Sequence, residues 1–166
     1  EHTATQLAVY EMQNSRRDRY HAVELTVQQT FSDSARWTAS YVRSSARSNA
    51  VLDYTIENPF LAGQGPGPLD WDMPNRVVAS GWLPLFKKYT FSWFVEWRDG
   101  LPFNVIDERQ ELVDTPNRLR LPRYFSLNPH VEREFELGRY RWSVRVGLNN
   151  ITGRENFSLV DNNIAS

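Results

Sequence analysis

The sequence predicts an all-β fold, an antiparallel up-and-down meander of about eight or nine long strands that forms part of a transmembrane β-barrel. Three observations carry this expectation. Apolar and polar residues alternate with period two over runs longer than an ordinary strand, connections alternate between short turns and long loops, and no apolar run approaches the ~20 residues of a membrane helix.

Strands are expected over 5–13, 20–31, 36–47, 76–85, 89–98, 102–107, 124–136 and 139–149. In the second, Val23, Leu25, Val27 and Phe31 share a face against Glu24, Thr26, Gln28 and Thr30. In the fifth, Tyr89, Phe91, Trp93, Val95 and Trp97 oppose Thr90, Ser92, Glu96 and Arg98, and only Phe94 breaks the pattern. The last two are the clearest. Leu127, Pro129, Val131, Arg133 and Phe135 oppose Asn128, His130, Glu132, Glu134 and Glu136, and Tyr140, Trp142, Val144, Val146 and Leu148 oppose Arg139, Arg141, Ser143, Arg145, Gly147 and Asn149.

A two-residue turn at Leu137-Gly138 would set Phe135 opposite Tyr140, Val131 opposite Val144, Glu134 opposite Arg141 and His130 opposite Arg145. A one-residue slip would mix the faces, so the register is expected to be strongly specified. Leu137 suits the positive φ of a tight primed turn poorly, and a looser turn of the same parity is the alternative. Arg133 is the misfit on the apolar face, and this register places it opposite Trp142, against whose indole it can lie.

The connections follow the same design. Short turns are expected near 32–35, 85–88 and 137–138, and long loops near 48–75 and 108–123. Short turns on one rim and long loops on the other are the pattern of an outer-membrane barrel, whereas long structureless loops are uncommon in compact soluble domains. The whole chain, 1–166, reads as one barrel segment.

Composition agrees. The 166 residues are 40% hydrophobic and 13% aromatic at a mean hydropathy of -0.57, a mixture suited to a wall that is apolar outside and polar inside. A net charge of -1 lacks the basic footprint of a nucleic-acid binder, and the absence of cysteine excludes disulfides, thiolate metal sites and a cysteine nucleophile.

Chemical motifs are sparse. His2, His21 and His130 have no metal-site spacing, and no cofactor motif is present. Glu132, Glu134 and Glu136, beside Arg139 and Arg141, read as structural ion pairs rather than as an acid-base pair. Ser40, Ser44, Ser45 and Ser48 lack a nucleophile elbow, and the glycine-rich run Gly63 to Pro68 lacks the Lys-Ser/Thr ending of a phosphate loop. The expectation is a non-enzyme.

The run Tyr20-His21-Ala22-Val23-Glu24-Leu25, then Phe31, Trp37-Thr38-Ala39-Ser40-Tyr41 and Ser44, resembles the carboxyl-terminal barrel region of TonB-dependent outer-membrane receptors, nearest the Oar-like group. In the same order follow Trp71-Asp72-Met73-Pro74-Asn75-Arg76, Ser80-Gly81-Trp82-Leu83-Pro84, Gly100-Leu101-Pro102-Phe103, Arg120-Leu121-Pro122-Arg123-Tyr124 and Leu148-Asn149-Asn150-Ile151-Thr152. Three positions depart from the pattern. Asn75 stands where the family commonly has His, Asn128 where it often has Asp, and Gly153 where a second Asn usually follows. The plug domain and the aromatic-terminated final strand have no counterpart, so the chain resembles an interior fragment.

The resemblance implies a barrel-wall segment of a receptor in the bacterial outer membrane, importing a bulky nutrient such as a siderophore, cobalamin or oligosaccharide. Its implied partners are outer-membrane lipid, the remaining strands, the plug, and the TonB complex through the missing part. Glu24, Glu96, Arg98, Glu132, Glu134, Arg141 and Arg145 are the candidates to line the lumen, and Tyr54, Phe60, Trp71 and Asp72 are the candidates to contact substrate. The competing class is a small non-enzymatic β-barrel or β-sandwich for binding or adhesion, one that takes carbohydrate through exposed Trp residues. The faces discriminate: Trp93, Trp97, Val144 and Val146 point outward from a polar interior in the first class and converge on a dry core in the second.

Overall fold

A computed structural model of the chain describes residues 14–32, 35–51, 65–86, 88–109 and 112–157. The strand expected over 5–13 lies outside the described residues, as do Tyr54 and Phe60. The fold is all-β and antiparallel. Its strands are β1 (Asp18–Ser32), β2 (Ala35–Ser48), β3 (Gly67–Pro68), β4 (Asn75–Phe86), β5 (Tyr89–Arg98), β6 (Pro102–Phe103), β7 (Leu119–Arg120), β8 (Tyr124–Leu137) and β9 (Tyr140–Gly147).

The main sheet runs β1-β2-β4-β5-β8-β9, each long strand pairing with the next in the chain, while β3 adds to the end of β2 and β6 pairs with β7. Sequential antiparallel pairing follows from the turns. Ser32 faces Ala35, Phe86 faces Tyr89 and Leu137 faces Tyr140, so each of the three rim connections holds two residues. The long connections, 49–74 and 99–123, lie at the opposite rim. Their described residues include β3, β6, β7 and an Ile106–Leu112 bridge. The strand expected over 102–107 is reduced to β6, and β3 and β7 were too short for a period-two pattern to announce.

The final hairpin corrects the expected register. Its turn is Gly138-Arg139, and Gly138 at φ 63 supplies the positive first position of a type II′ turn that Leu137 would resist. The pairing moves by two residues and keeps its parity. Phe135 therefore faces Trp142, Val131 faces Val146, Glu134 faces Ser143, Glu136 faces Arg141 and Glu132 faces Arg145, while His130 faces Gly147. Arg133 faces Val144 and its guanidinium lies 5.2 Å above the ring of Tyr89 on β5, not against Trp142.

Register lines up the apolar sides of all six long strands. Leu25, Tyr41, Val77, Trp97 and Phe125 form one row across the sheet, and Val27, Ala39, Ala79, Val95 and Leu127 form the next. A third row runs Gln29, Trp37, Gly81, Trp93 and Pro129. There the Trp93 indole covers Gly81, where a Cβ would come within 2.5 Å of the ring. Trp93, Trp97, Val144 and Val146 share this face, and among the described residues no second sheet covers it. Val23 is 73% exposed, Leu25 63% and Val146 67%. Among the described residues Ala46, Val51, Leu69 and Leu121 are buried, all at or beside the long-loop rim.

Candidate functional site

The opposite face carries the polar residues. Glu24, Val42, Arg76, Arg98 and Tyr124 form one row, and Thr26, Ser40, Val78, Glu96 and Ser126 form the next. All seven residues expected to line a lumen lie on this face by register. Glu24 accepts hydrogen bonds from Ser40 Oγ at 3.0 Å and Thr26 Oγ1 at 3.2 Å. Glu96 holds Arg76 Nε at 2.9 Å and lies 3.9 Å from Arg98, whose guanidinium sits 4.4 Å above Tyr124. Glu132 accepts from Arg145 Nε at 2.9 Å and Nη2 at 2.5 Å, and Glu136 lies 3.7 Å from Arg141. Phe94 and Trp82 belong to this face as well, both partly exposed, so it is mixed rather than wholly polar.

Residues 69–74 fold down onto the end of β2. Leu69 N donates to Ala46 O at 2.9 Å, Ala46 N donates to Asp72 Oδ1 at 2.6 Å, Ser44 N donates to Pro74 O at 2.9 Å, and Ser44 Oγ donates to Met73 O at 2.7 Å. The other Asp72 oxygen pairs with Arg120 Nη2, and Arg120 Nη1 donates to Asp72 O at 2.9 Å and Gly100 O at 3.2 Å. Asp72 is buried, with both carboxylate oxygens held inside the chain. It joins the two long loops to one strand end, a structural task that also fixes its neighbour Trp71.

Trp71 remains half exposed and leans on Tyr20 of β1, with ring centroids 5.5 Å apart and planes tilted by 48°. Below them lies an open groove of about 460 Å³ lined by Ala22, Glu24, Val42, Ser44, Met73 and Arg76. Two of the expected residues, Glu24 and Trp71, thus meet in one place. Tyr20 and Arg76 were not singled out as contacts. The fold-back of 69–74 that brings Trp71 beside them is not periodic.

A second cluster closes the rim. Asn75 Oδ1 accepts from Tyr41 OH at 2.7 Å and Arg43 Nη1 at 3.0 Å, and its Nδ2 donates to Asp99 Oδ2 at 2.5 Å. Asn128 Oδ1 accepts from Ser126 Oγ at 3.0 Å and Asn150 N at 2.7 Å, an acceptor role that a carboxylate also fills. Gly153, at φ 63, sits in the left-handed region that Asn tolerates best among side chains. Among the described residues no group of three or more His, Cys, Asp or Glu side chains converges to hold a metal ion.

The described residues define a class by their faces: a single-layer antiparallel sheet, apolar on one side with no cover among those residues, polar and grooved on the other. No family model, curated protein or solved structure matches the chain.

Proposed function

We propose that this chain is a wall segment of a bacterial outer-membrane β-barrel, of the TonB-dependent receptor type that imports a bulky nutrient. The observation that carries the reading is the continuous uncovered apolar face backed by a polar one. Six strands at ~4.8 Å spacing and a ~25 Å band give roughly 600 Å² in flat projection, the upper limit of patches on ordinary monomers even before side-chain relief is counted. The height fits lipid. From Phe125 to Phe135 the ten steps of β8 rise ~33 Å, which at a tilt of about 40° stands ~25 Å tall, the apolar band of an outer-membrane barrel. Aromatic residues stand at both of its ends, Tyr41, Trp97 and Phe125 toward the long loops and Tyr89, Phe135, Tyr140 and Trp142 toward the short turns, where interfacial girdles would lie, with Trp37, Phe91 and Trp93 between them.

Among the described residues the sheet path leaves outer edges on β1 and β9. Unpaired strand edges are prohibitive in lipid, so further strands of a larger barrel would close them. In that barrel the polar face lines the lumen, beside a plug, and energy coupling to TonB runs through the part beyond this segment.

The test uses the absence of cysteine. Single cysteines at Trp93, Phe94, Val95 and Glu96 in the full-length receptor, spin-labelled in outer-membrane vesicles, are expected to alternate between collision with oxygen at the odd positions and with an aqueous nickel reagent at the even ones. Uniform access of the nickel reagent to all four would defeat the proposal.

A further inference from the structure

We propose that the groove beneath Trp71 and Tyr20 binds one ring of a neutral oligosaccharide, stacked on the two aromatic side chains and hydrogen-bonded by Glu24 and Arg76. This deepens the barrel reading and rests on it, because only there does the groove face the lumen directly below the loop rim.

The ring pair decides between ligand shapes. A centroid separation of 5.5 Å leaves no room for a group between the rings, so Tyr20 and Trp71 cannot enclose an ammonium as an aromatic cage does. They form instead a bent apolar platform, each ring more than half open at 55% and 54%. Such a platform suits the C–H face of a saturated ring.

The polar groups decide between charges. Glu24 uses Oε1 for Ser40 and Thr26, and its Oε2 has no bond among the described residues. Arg76 uses Nε for Glu96, and its two Nη groups have no bond among the described residues. An acceptor and paired donors therefore face the same groove, flanking Val42 at two strand spacings, about 10 Å, which spans a pyranose and its hydroxyls. Arg76 and Arg98 share Glu96 and Glu24 has no cation partner among the described residues, so two carboxylates offset two guanidiniums and the row carries no net positive charge to attract an anionic siderophore. A polyhydroxylated neutral ring satisfies the stacking surface, the acceptor and the donors together.

The experiment presents the full-length receptor in detergent to an array of neutral gluco-, manno-, galacto- and xylo-oligosaccharides, with outer-membrane fractionation and heat-modifiable gel mobility as folding controls. Binding to at least one of these series is expected. Tyr20→Ala and Trp71→Ala should each weaken it about tenfold, the loss expected on removing ~50 Å² of apolar contact at ~25 cal/mol per Å², whereas Trp71→Phe and Phe94→Ala should stay within a few-fold of the parent. A correctly inserted receptor that binds none of these sugars overturns the sugar proposal and leaves the barrel reading standing. Sugar binding unchanged by both alanine variants overturns the groove as its site. A parent chain that never reaches the outer membrane overturns the barrel reading and the inference with it.

Discussion

Ala79 and Ser80 are consecutive residues of β4, and introducing arginine at each one separates the two faces of the sheet at one depth. Ala79 lies in the middle apolar row between Ala39 and Val95, and Ser80 lies in the polar row between Thr38 and Phe94. Their positions differ by about 3.4 Å along the strand, so under the proposed barrel function, which this comparison tests, membrane depth is almost held constant. An arginine on the lipid face near the midplane costs about 2–4 kcal/mol, a factor of roughly 30 to 900 in the folded population, whereas lumen substitutions change selectivity more than stability. The comparison is made in the full-length receptor, by urea titration in lipid bilayers read by heat-modifiable mobility. Ala79→Arg should lower the unfolding free energy by that amount and Ser80→Arg by less than about 1 kcal/mol. Val144 is a poorer choice for a charge on this face. Arg133 lies directly across from it and would neutralise an introduced aspartate. Equal losses for Ala79→Arg and Ser80→Arg would refute the assignment of faces.

Asp72→Ala removes the carboxylate that holds Ala46 N and Arg120 together; because Arg120 stays partly solvated, the cost should fall below the ~3–5 kcal/mol of breaking a fully buried pair and be felt first in the loops, with faster amide exchange over residues 69–74 as the expected readout. Gly100→Ala would place a Cβ 1.7 Å from Leu121 O, and because the obstacle is backbone the cost should reach the upper part of the ~1–3 kcal/mol range for overpacking, measured as a lower urea midpoint. Asp114 is held below the usual carboxylate range, first by the backbone N–H of Thr115 and then by the Arg118 guanidinium. A depressed folded value means its contribution is present above the unfolded value and is lost as pH falls through the folded one. Amide protection at Thr115 should therefore decline in acid, and Asp114→Asn should remove that dependence.

Much of the candidate site was legible in pieces. Glu24 and Trp71 were identified separately, one by strand parity and one by its place in a long loop, but nothing in the spacing joined them. Asp72 was identified with Trp71 as a substrate contact, yet its oxygens are taken by Ala46 N and Arg120, partners 26 and 48 residues away in sequence. Hydrogen bonds across such separations leave no periodic trace. Tyr20 went unweighted as a contact for the same reason, since its importance comes from the ring that folds against it.

By itself the sequence determined the six long strands, their parity and the division of rims, because side chains alternate along an extended backbone and a one-residue slip would put charge on the apolar face. That is why the last hairpin kept both faces intact although its pairing moved by two residues. Parity cannot choose between registers two residues apart. The backbone at Gly138 decided that choice, since a positive φ is easily adopted there and resisted at Leu137. Only the tertiary structure aligned six apolar faces into one uncovered surface, and only it laid residues 69–74 across β2 to bring Trp71 onto Tyr20. Both results depend on contacts between distant segments, which the alternation of a single strand does not encode.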